Sequence, residues 1–145
     1  MAKRNRNWRV VQTVELGAPA AEVWAVVGGF FNIHKWHPDI HRTEIGRDQT
    51  DIPELRRILT FPGQPKTVEQ LVSMDNAGFH YTYKWHQGDW GERVQKYEAS
   101  IRVVELAGGN RCLMQWSSTF YYSEDALSEF YWNGFRNLQK MFPLS

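Results

Sequence analysis

Residues 79–86 read Phe-His-Tyr-Thr-Tyr-Lys-Trp-His, a strict alternation of aromatic and polar side chains. Neighbouring side chains of an extended strand point to opposite faces. Phe79, Tyr81, Tyr83 and Trp85 therefore share one face, and His80, Thr82, Lys84 and His86 share the other. A strand buried on one side only belongs to an antiparallel sheet with a solvated back. The buried side here is wholly aromatic and carries two hydroxyls, and buried tyrosines need hydrogen-bond partners. A ligand cavity is often walled this way, and so is an ordinary core.

The same period recurs along the chain. Trp8, Val10, Gln12, Val14 and Leu16 predict a first strand over 8–16. Residues 20–27 predict a short helix, opened by Pro19 at its first position and stopped by Gly28-Gly29. A second short helix is expected over 30–35, and Pro38 ends the helical pattern. Strands follow over 41–47, 54–61, 67–74, 79–86, 93–106 and 111–122, separated by the Pro62-Gly63-Gln64-Pro65, Asp75-Asn76-Ala77-Gly78 and Ala107-Gly108-Gly109-Asn110 turns and a loop tip bearing Trp90.

After residue 122 the period changes. Leu127, Phe130, Tyr131, Gly134, Phe135, Leu138, Met141 and Phe142 follow helical spacing. Ser123 is expected to cap this helix, with Glu124 and Asp125 in its first turn. Its apolar face must be buried against the sheet. An α+β architecture follows: a curved antiparallel sheet of seven strands around one long C-terminal helix, with two short helices after the first strand.

A length of 145 residues fits one domain spanning the chain, with residues 1–7 a basic arm. A net charge of +1 gives no nucleic-acid footprint, and Lys3, Arg4, Arg6 and Arg9 read as a solvated terminus. No apolar run reaches the roughly 18 residues of a membrane span. The N-terminal segment lacks the apolar core of a signal peptide, and the single Cys112 suits a reducing compartment, so a cytoplasmic location is expected.

Candidate chemistry centres on the turn at Gly63. Arg57 and Glu69 stand six residues on either side of it, and opposed residues of a hairpin share a face. If the Leu59/Phe61 face is inner, the two form a buried ion pair, which is better evidence for a site than for stability. A one-residue slip would put Arg56 in place of Arg57. An exposed cross-strand salt bridge would account for the same residues. His34, His37 and His41 do not form a helical ligand set because Pro38 intervenes, and no metal is expected. His80 and His86 read as surface residues and Cys112 as a packing residue. There is no phosphate loop, dinucleotide fingerprint or nucleophile elbow.

Taken in order, the segments Ala18-Pro19-Ala20-Ala21-Glu22-Val23-Trp24, Lys35-Trp36-His37-Pro38-Asp39, Val68-Glu69-Gln70-Leu71, Tyr81-Thr82-Tyr83, Trp116-Ser117-Ser118-Thr119-Phe120 and Gly134-Phe135-Arg136-Asn137-Leu138 resemble the helix-grip superfamily. That superfamily holds the birch pollen allergen, the START lipid-binding domains and the bacterial polyketide cyclase/dehydrase-like proteins. The Trp-His-Pro stretch and the Arg…Glu…Tyr-x-Tyr pattern resemble a bacterial subgroup related to plant lachrymatory factor synthase. In that enzyme an arginine and a glutamate on adjacent strands, with nearby tyrosines, form the working cluster. The resemblance implies Glu69 as proton shuttle, Arg57 as oxyanion holder, and Tyr83 and Tyr97 as orienting hydroxyls.

It also implies a cavity lined by Trp36, His37, Phe61, Leu71, Tyr81, Trp85, Met114, Trp116, Phe120, Phe130, Gly134 and Phe135. The expected ligand is a small hydrophobic or aromatic molecule, bound by a monomer or homodimer without a cofactor, nucleic acid or membrane. The implied activity is a cyclisation, dehydration or isomerisation by proton transfer. A non-catalytic carrier or sensor is the first alternative, and a co-chaperone-like interaction module contacting partners through Trp90 is the second.

Overall fold

A computed structural model describes residues 4–46, 56–88 and 93–145. Trp90 and the ends of two expected strands, at 47 and 54–55, lie outside the described residues. Seven strands run β1 (Arg6–Leu16), β2 (Arg42–Ile45), β3 (Arg56–Thr60), β4 (Thr67–Asp75), β5 (His80–Gln87), β6 (Gln95–Glu105) and β7 (Cys112–Tyr122). They form one curved antiparallel sheet in the order β1-β7-β6-β5-β4-β3-β2. The helix α1 (Ala20–Val27) and a 3-10 turn over Phe30–Lys35 follow β1, and the helix α2 (Ser128–Met141) ends the chain. This is the expected helix-grip architecture. No helix among the described residues is long and apolar enough to cross a membrane.

Several boundaries differ from the sequence expectation, each for a local reason. Arg6 and Asn7, expected in the arm, pair with Tyr122 and Tyr121, and the Arg6 guanidinium sits 4.0 Å over the Trp8 ring. Pro19 is the residue before the first helical turn of α1 rather than inside it. Phe79 adopts a positive φ of 52° to close the turn that Gly78 and the Asp75 carboxylate hold together, so β5 begins at His80. The Phe79 ring still reaches Trp24, at 5.8 Å between centroids.

The long helix is 14 residues and starts at Ser128. Ser123 does not cap it. The Asp125 carboxylate accepts the backbone N–H groups of Leu127 and Ser128 at 3.0 Å each, satisfying donors that a helix leaves orphaned.

The core lies between the inner face of the sheet and α2. Tyr131, Gly134, Phe135 and Leu138 are the buried stripe of that helix, and Tyr131 stacks on Trp116 of β7 at 4.1 Å. Each large apolar side chain buried in this way contributes about 1.5–3 kcal/mol. Met114, Trp116 and Phe120 of β7 face the same core, as do Tyr81 and Tyr83 of β5. Cys112 is buried at the start of β7, and burial pushes its thiol up to about 11, which agrees with packing rather than nucleophilic use.

Candidate active site

The hairpin β3–β4 sets the polar end of the site. Its register pairs Arg57 with Glu69 and Arg56 with Gln70, so the symmetric placement about Gly63 carries through without a slip. The alternative left open by the sequence is thereby resolved: Arg57 is the arginine that meets Glu69. Arg57 is fully buried and Glu69 is 5% exposed. Arg57 Nε donates to Glu69 Oε1 at 2.9 Å, and Nη2 lies 2.7 Å from the same oxygen. Nη1 donates to the Phe30 carbonyl at 2.9 Å. The guanidinium plane is enclosed by the rings of Phe30 and Tyr83, at 4.2 and 4.6 Å.

Burial raises the pKa of Glu69 above the usual carboxylate range, and the neighbouring guanidinium limits the rise. For Arg57, burial acts to lower the value. Glu69, with the Tyr81 and Tyr83 phenols, outweighs it, and the guanidinium is held more firmly protonated.

A chain of hydroxyls runs beside this pair. Trp116 Nε1 donates to the Tyr83 hydroxyl at 3.0 Å, Tyr83 and Tyr97 share a hydrogen bond of 3.1 Å, and Tyr97 and Tyr131 share another of 3.1 Å. β5, β6 and α2 each supply one phenol, and β7 supplies the indole. Burial raises the pKa of all three phenols, with the neighbouring phenols adding to the rise at Tyr83 and Tyr97 and hydrogen bonds opposing it at Tyr131. They act as neutral donors and acceptors at ordinary pH.

These groups form one wall of a cavity of about 410 Å³. Glu69, Tyr83, Tyr97 and Thr67 are its buried polar lining, with Ile33, Leu59 and Leu127 as buried apolar lining. Pro38, Asp39, Phe61, Pro62, Gln64, Ala126 and Phe130 are more exposed and mark its mouth. Of the residues singled out in the sequence, Glu69, Tyr83, Tyr97, Phe61 and Phe130 therefore meet in this cavity.

Arg57 stands behind Glu69 and is not part of the wall. Trp36, His37, Leu71, Tyr81, Trp85, Met114, Trp116, Phe120, Gly134 and Phe135 also do not line it. The reason is packing: aromatic rings on the inner face fill against one another instead of facing open space. Trp36 lies 5.3 Å from Trp116, and Phe135 packs on Trp116 and Trp132. Tyr81 is enclosed by Trp24, Phe30 and Tyr83.

His37 is locked. Its Nε2 donates to the Phe130 carbonyl at 2.7 Å, and its Nδ1 accepts the Asp39 backbone N–H at 3.1 Å, which fixes the neutral tautomer. Its ring stacks on Phe130 at 4.0 Å, and burial lowers its pKa. Gly134 is glycine because a Cβ there would stand 2.8 Å from His37 Cδ2 and 3.0 Å from Trp36 Cζ3. The space that glycine leaves is filled by these rings. His34 bonds Thr43, and no cluster of metal-binding side chains occurs among the described residues.

Sequence reasoning missed two contributors. Tyr131 was visible only as a member of the apolar stripe, although its hydroxyl set it apart from Phe130 and Phe135. Asp39 followed the Trp-His-Pro stretch but was masked by it. The turn of the backbone after Pro38 brings Asp39, not His37, to the cavity, and Asn133 of α2 donates to its Oδ2 at 2.9 Å.

The profile of a family described as polyketide cyclase / dehydrase and lipid transport matches residues 7–140. No curated protein matches the chain. Among solved structures, the protein XoxI from Bacillus cereus is similar at 24% identity and a TM-score of 0.82, with 98% of this chain and 96% of that chain covered. Norcoclaurine synthase from Thalictrum flavum, solved with dopamine and hydroxybenzaldehyde, is similar at 18% identity and a TM-score of 0.67, covering 95% of this chain and 87% of that one. A START superfamily protein from Mycobacterium smegmatis is similar at 19% identity and a TM-score of 0.66, covering 91% and 92%. At these identities the solved structures share the fold.

Proposed function

The chain belongs to the polyketide cyclase / dehydrase and lipid transport family, and we propose that it acts as a cofactor-independent proton-transfer enzyme on a small, largely apolar molecule held in the cavity. One observation carries this reading. The cavity wall holds a buried carboxyl group of raised pKa beside two phenolic hydroxyls, while much of its remaining surface is apolar.

A general base works best when its pKa lies near the working pH, and burial moves Glu69 in that direction. Glu69 takes a proton from a C–H next to a substrate carbonyl and returns it elsewhere on the same molecule. A cyclisation, dehydration or isomerisation then follows according to the substrate.

Negative charge develops on the substrate oxygen during this step. The phenols can meet it. Tyr83 lines the cavity and accepts from the Trp116 indole, and when it also accepts from Tyr97 its own proton remains to donate to the ligand. We assign Arg57 to holding Glu69 rather than an oxyanion, since its Nε and Nη1 donate to Glu69 and the Phe30 carbonyl and its side chain stands outside the cavity wall. It is a positioning residue that engages one oxygen of Glu69 and leaves the other to the substrate.

The test needs no knowledge of the natural substrate. A panel of aryl alkyl ketones is incubated with the protein in deuterium oxide, and exchange at the carbon beside the carbonyl is followed by proton NMR. The wild type is expected to accelerate exchange for at least one member, and E69Q to lose about a hundredfold of that acceleration. Undiminished exchange in E69Q overturns the assignment of the base. Ketone binding without any exchange overturns the enzyme reading in favour of a carrier.

A further inference from the structure

The mouth of the cavity carries a charge that the chemistry above does not use. Among the described lining residues there is no lysine, arginine or histidine, and the two acidic ones are Glu69 and Asp39. Their situations differ. The Glu69 carboxyl is matched by Arg57 at 2.7 Å. The Asp39 carboxylate is held by the neutral amide of Asn133 at 2.9 Å, and among the described residues no lysine or arginine pairs with it. Its backbone N–H is spent on the neutral His37 ring.

Two aromatic rings share the same rim. Phe61 and Phe130 line the mouth with centroids 6.1 Å apart, and Gln64 adds an amide. An unmatched carboxylate beside aromatic faces attracts an organic cation, through charge and through the ring quadrupoles. The same carboxylate repels an anionic ligand.

We propose that Asp39 makes the mouth of the cavity a subsite for a protonated amine, so that the ligand carries a cationic amine at its outer end and its uncharged polar group at the Tyr83–Tyr97 end. Carboxylates, fatty acids among them, are excluded by the same feature. The inference rests on the cavity's binding a small molecule, but not on Glu69 acting as a base.

Three probes of nearly equal shape separate charge from fit: 2-phenylethylamine, 2-phenylethanol and 3-phenylpropanoate. Their dissociation constants are measured by titration calorimetry at neutral pH and low salt. The amine is expected to bind about tenfold tighter than the alcohol, and the carboxylate more weakly than either. D39N keeps an oxygen for Asn133 and removes the charge, and it is expected to bring the amine level with the alcohol. In the unaltered protein, raising the salt should shrink the amine's advantage, a readout that needs no variant.

An alcohol that binds while the amine shows no advantage overturns this inference alone. So does an amine preference that survives both D39N and high salt. If none of the three probes binds, the reading of the cavity as a small-molecule site falls with it.

Discussion

Glu69 and His37 are both titratable groups buried in the same interior, and they are used in opposite ways. The His37 ring has both nitrogens committed, to the Phe130 carbonyl and the Asp39 N–H, and a phenyl ring stacked on its face. Glu69 has one oxygen committed to Arg57 while the carboxyl forms part of the cavity wall. Burial and a shifted pKa are common to the two. What separates a structural group from a candidate catalytic one is spare hydrogen-bonding capacity directed at open space.

The strongest way to break the comparison is to remove the cation behind Glu69. R57M leaves a buried carboxyl without its partner, and urea denaturation should show a loss of about 3–5 kcal/mol. The double variant R57M/E69Q should recover part of it, because no buried charge then remains. A loss below about 1 kcal/mol would show that the pair is not buried as described.

The histidine side is probed through its glycine. In G134A the new Cβ meets the His37 and Trp36 rings at 2.8 and 3.0 Å. Overpacking of this kind costs about 1–3 kcal/mol, against a gain in helix propensity of up to about 1 kcal/mol. A net loss is expected, with affinity for cavity ligands little changed. A stabilised G134A would mean that the rings are free to move, and His37 would no longer count as locked.

The finest distinction lies in the pH dependence of stability, where the two groups have opposite signs. His37 has a lowered pKa when folded, so the unfolded chain binds its proton first and stability falls as pH drops below the ordinary value of 6.5. Glu69 has a raised pKa when folded, so the folded chain holds its proton longer and stability falls as pH rises from 4.5 through the folded value. Each slope is limited to about 1.4 kcal/mol per pH unit. H37Q should flatten the first limb and E69Q the second. Denaturant midpoints taken across pH 4 to 8 would show each variant's effect, and one that removes the wrong limb reverses the assignment.

The fold was largely legible because strand and helix periods are local. The alternation over β1, β5 and β7 and the stripe on α2 each announced an element and its buried face. The pairing of an arginine with Glu69 was legible by counting from Gly63, but the choice between Arg56 and Arg57 waited on the observed register, because a connection of this length with two prolines can slip by one residue. Three further things were not legible.

The left-handed turn at Phe79 places a bulky residue where side chains rarely go, and only the completed Asp75–Gly78 contact requires it. The start of α2 depended on which side-chain oxygen reached the orphaned N–H groups, and the Asp125 carboxylate did so in place of the Ser123 hydroxyl. The division of inward-facing aromatics into cavity wall and filled core depends on how rings from β5, β7 and α2 pack together. Strand parity for Trp116 and helical spacing for Phe130 put both on inner faces, yet one is enclosed and the other stands at the mouth.

The strand order carries a consequence for how the chain acquires its site. Arg57 and Glu69 meet through a hairpin 12 residues apart in sequence, whereas β1 closes on β7 across 96 to 116 positions, with the Trp8 indole bonding the Tyr122 carbonyl 114 positions away. Closing a loop costs more entropy as it lengthens. During synthesis the polar pair can therefore form long before β7 and α2 leave the ribosome. Phe30 and Tyr83 can already enclose the guanidinium, but until the last segments dock the cavity beside the Glu69 carboxyl lacks Leu127 and Phe130. The enclosure on which the proposed chemistry depends is completed only with the final part of the chain, so a nascent or C-terminally truncated chain would hold the reactive groups in an open pocket.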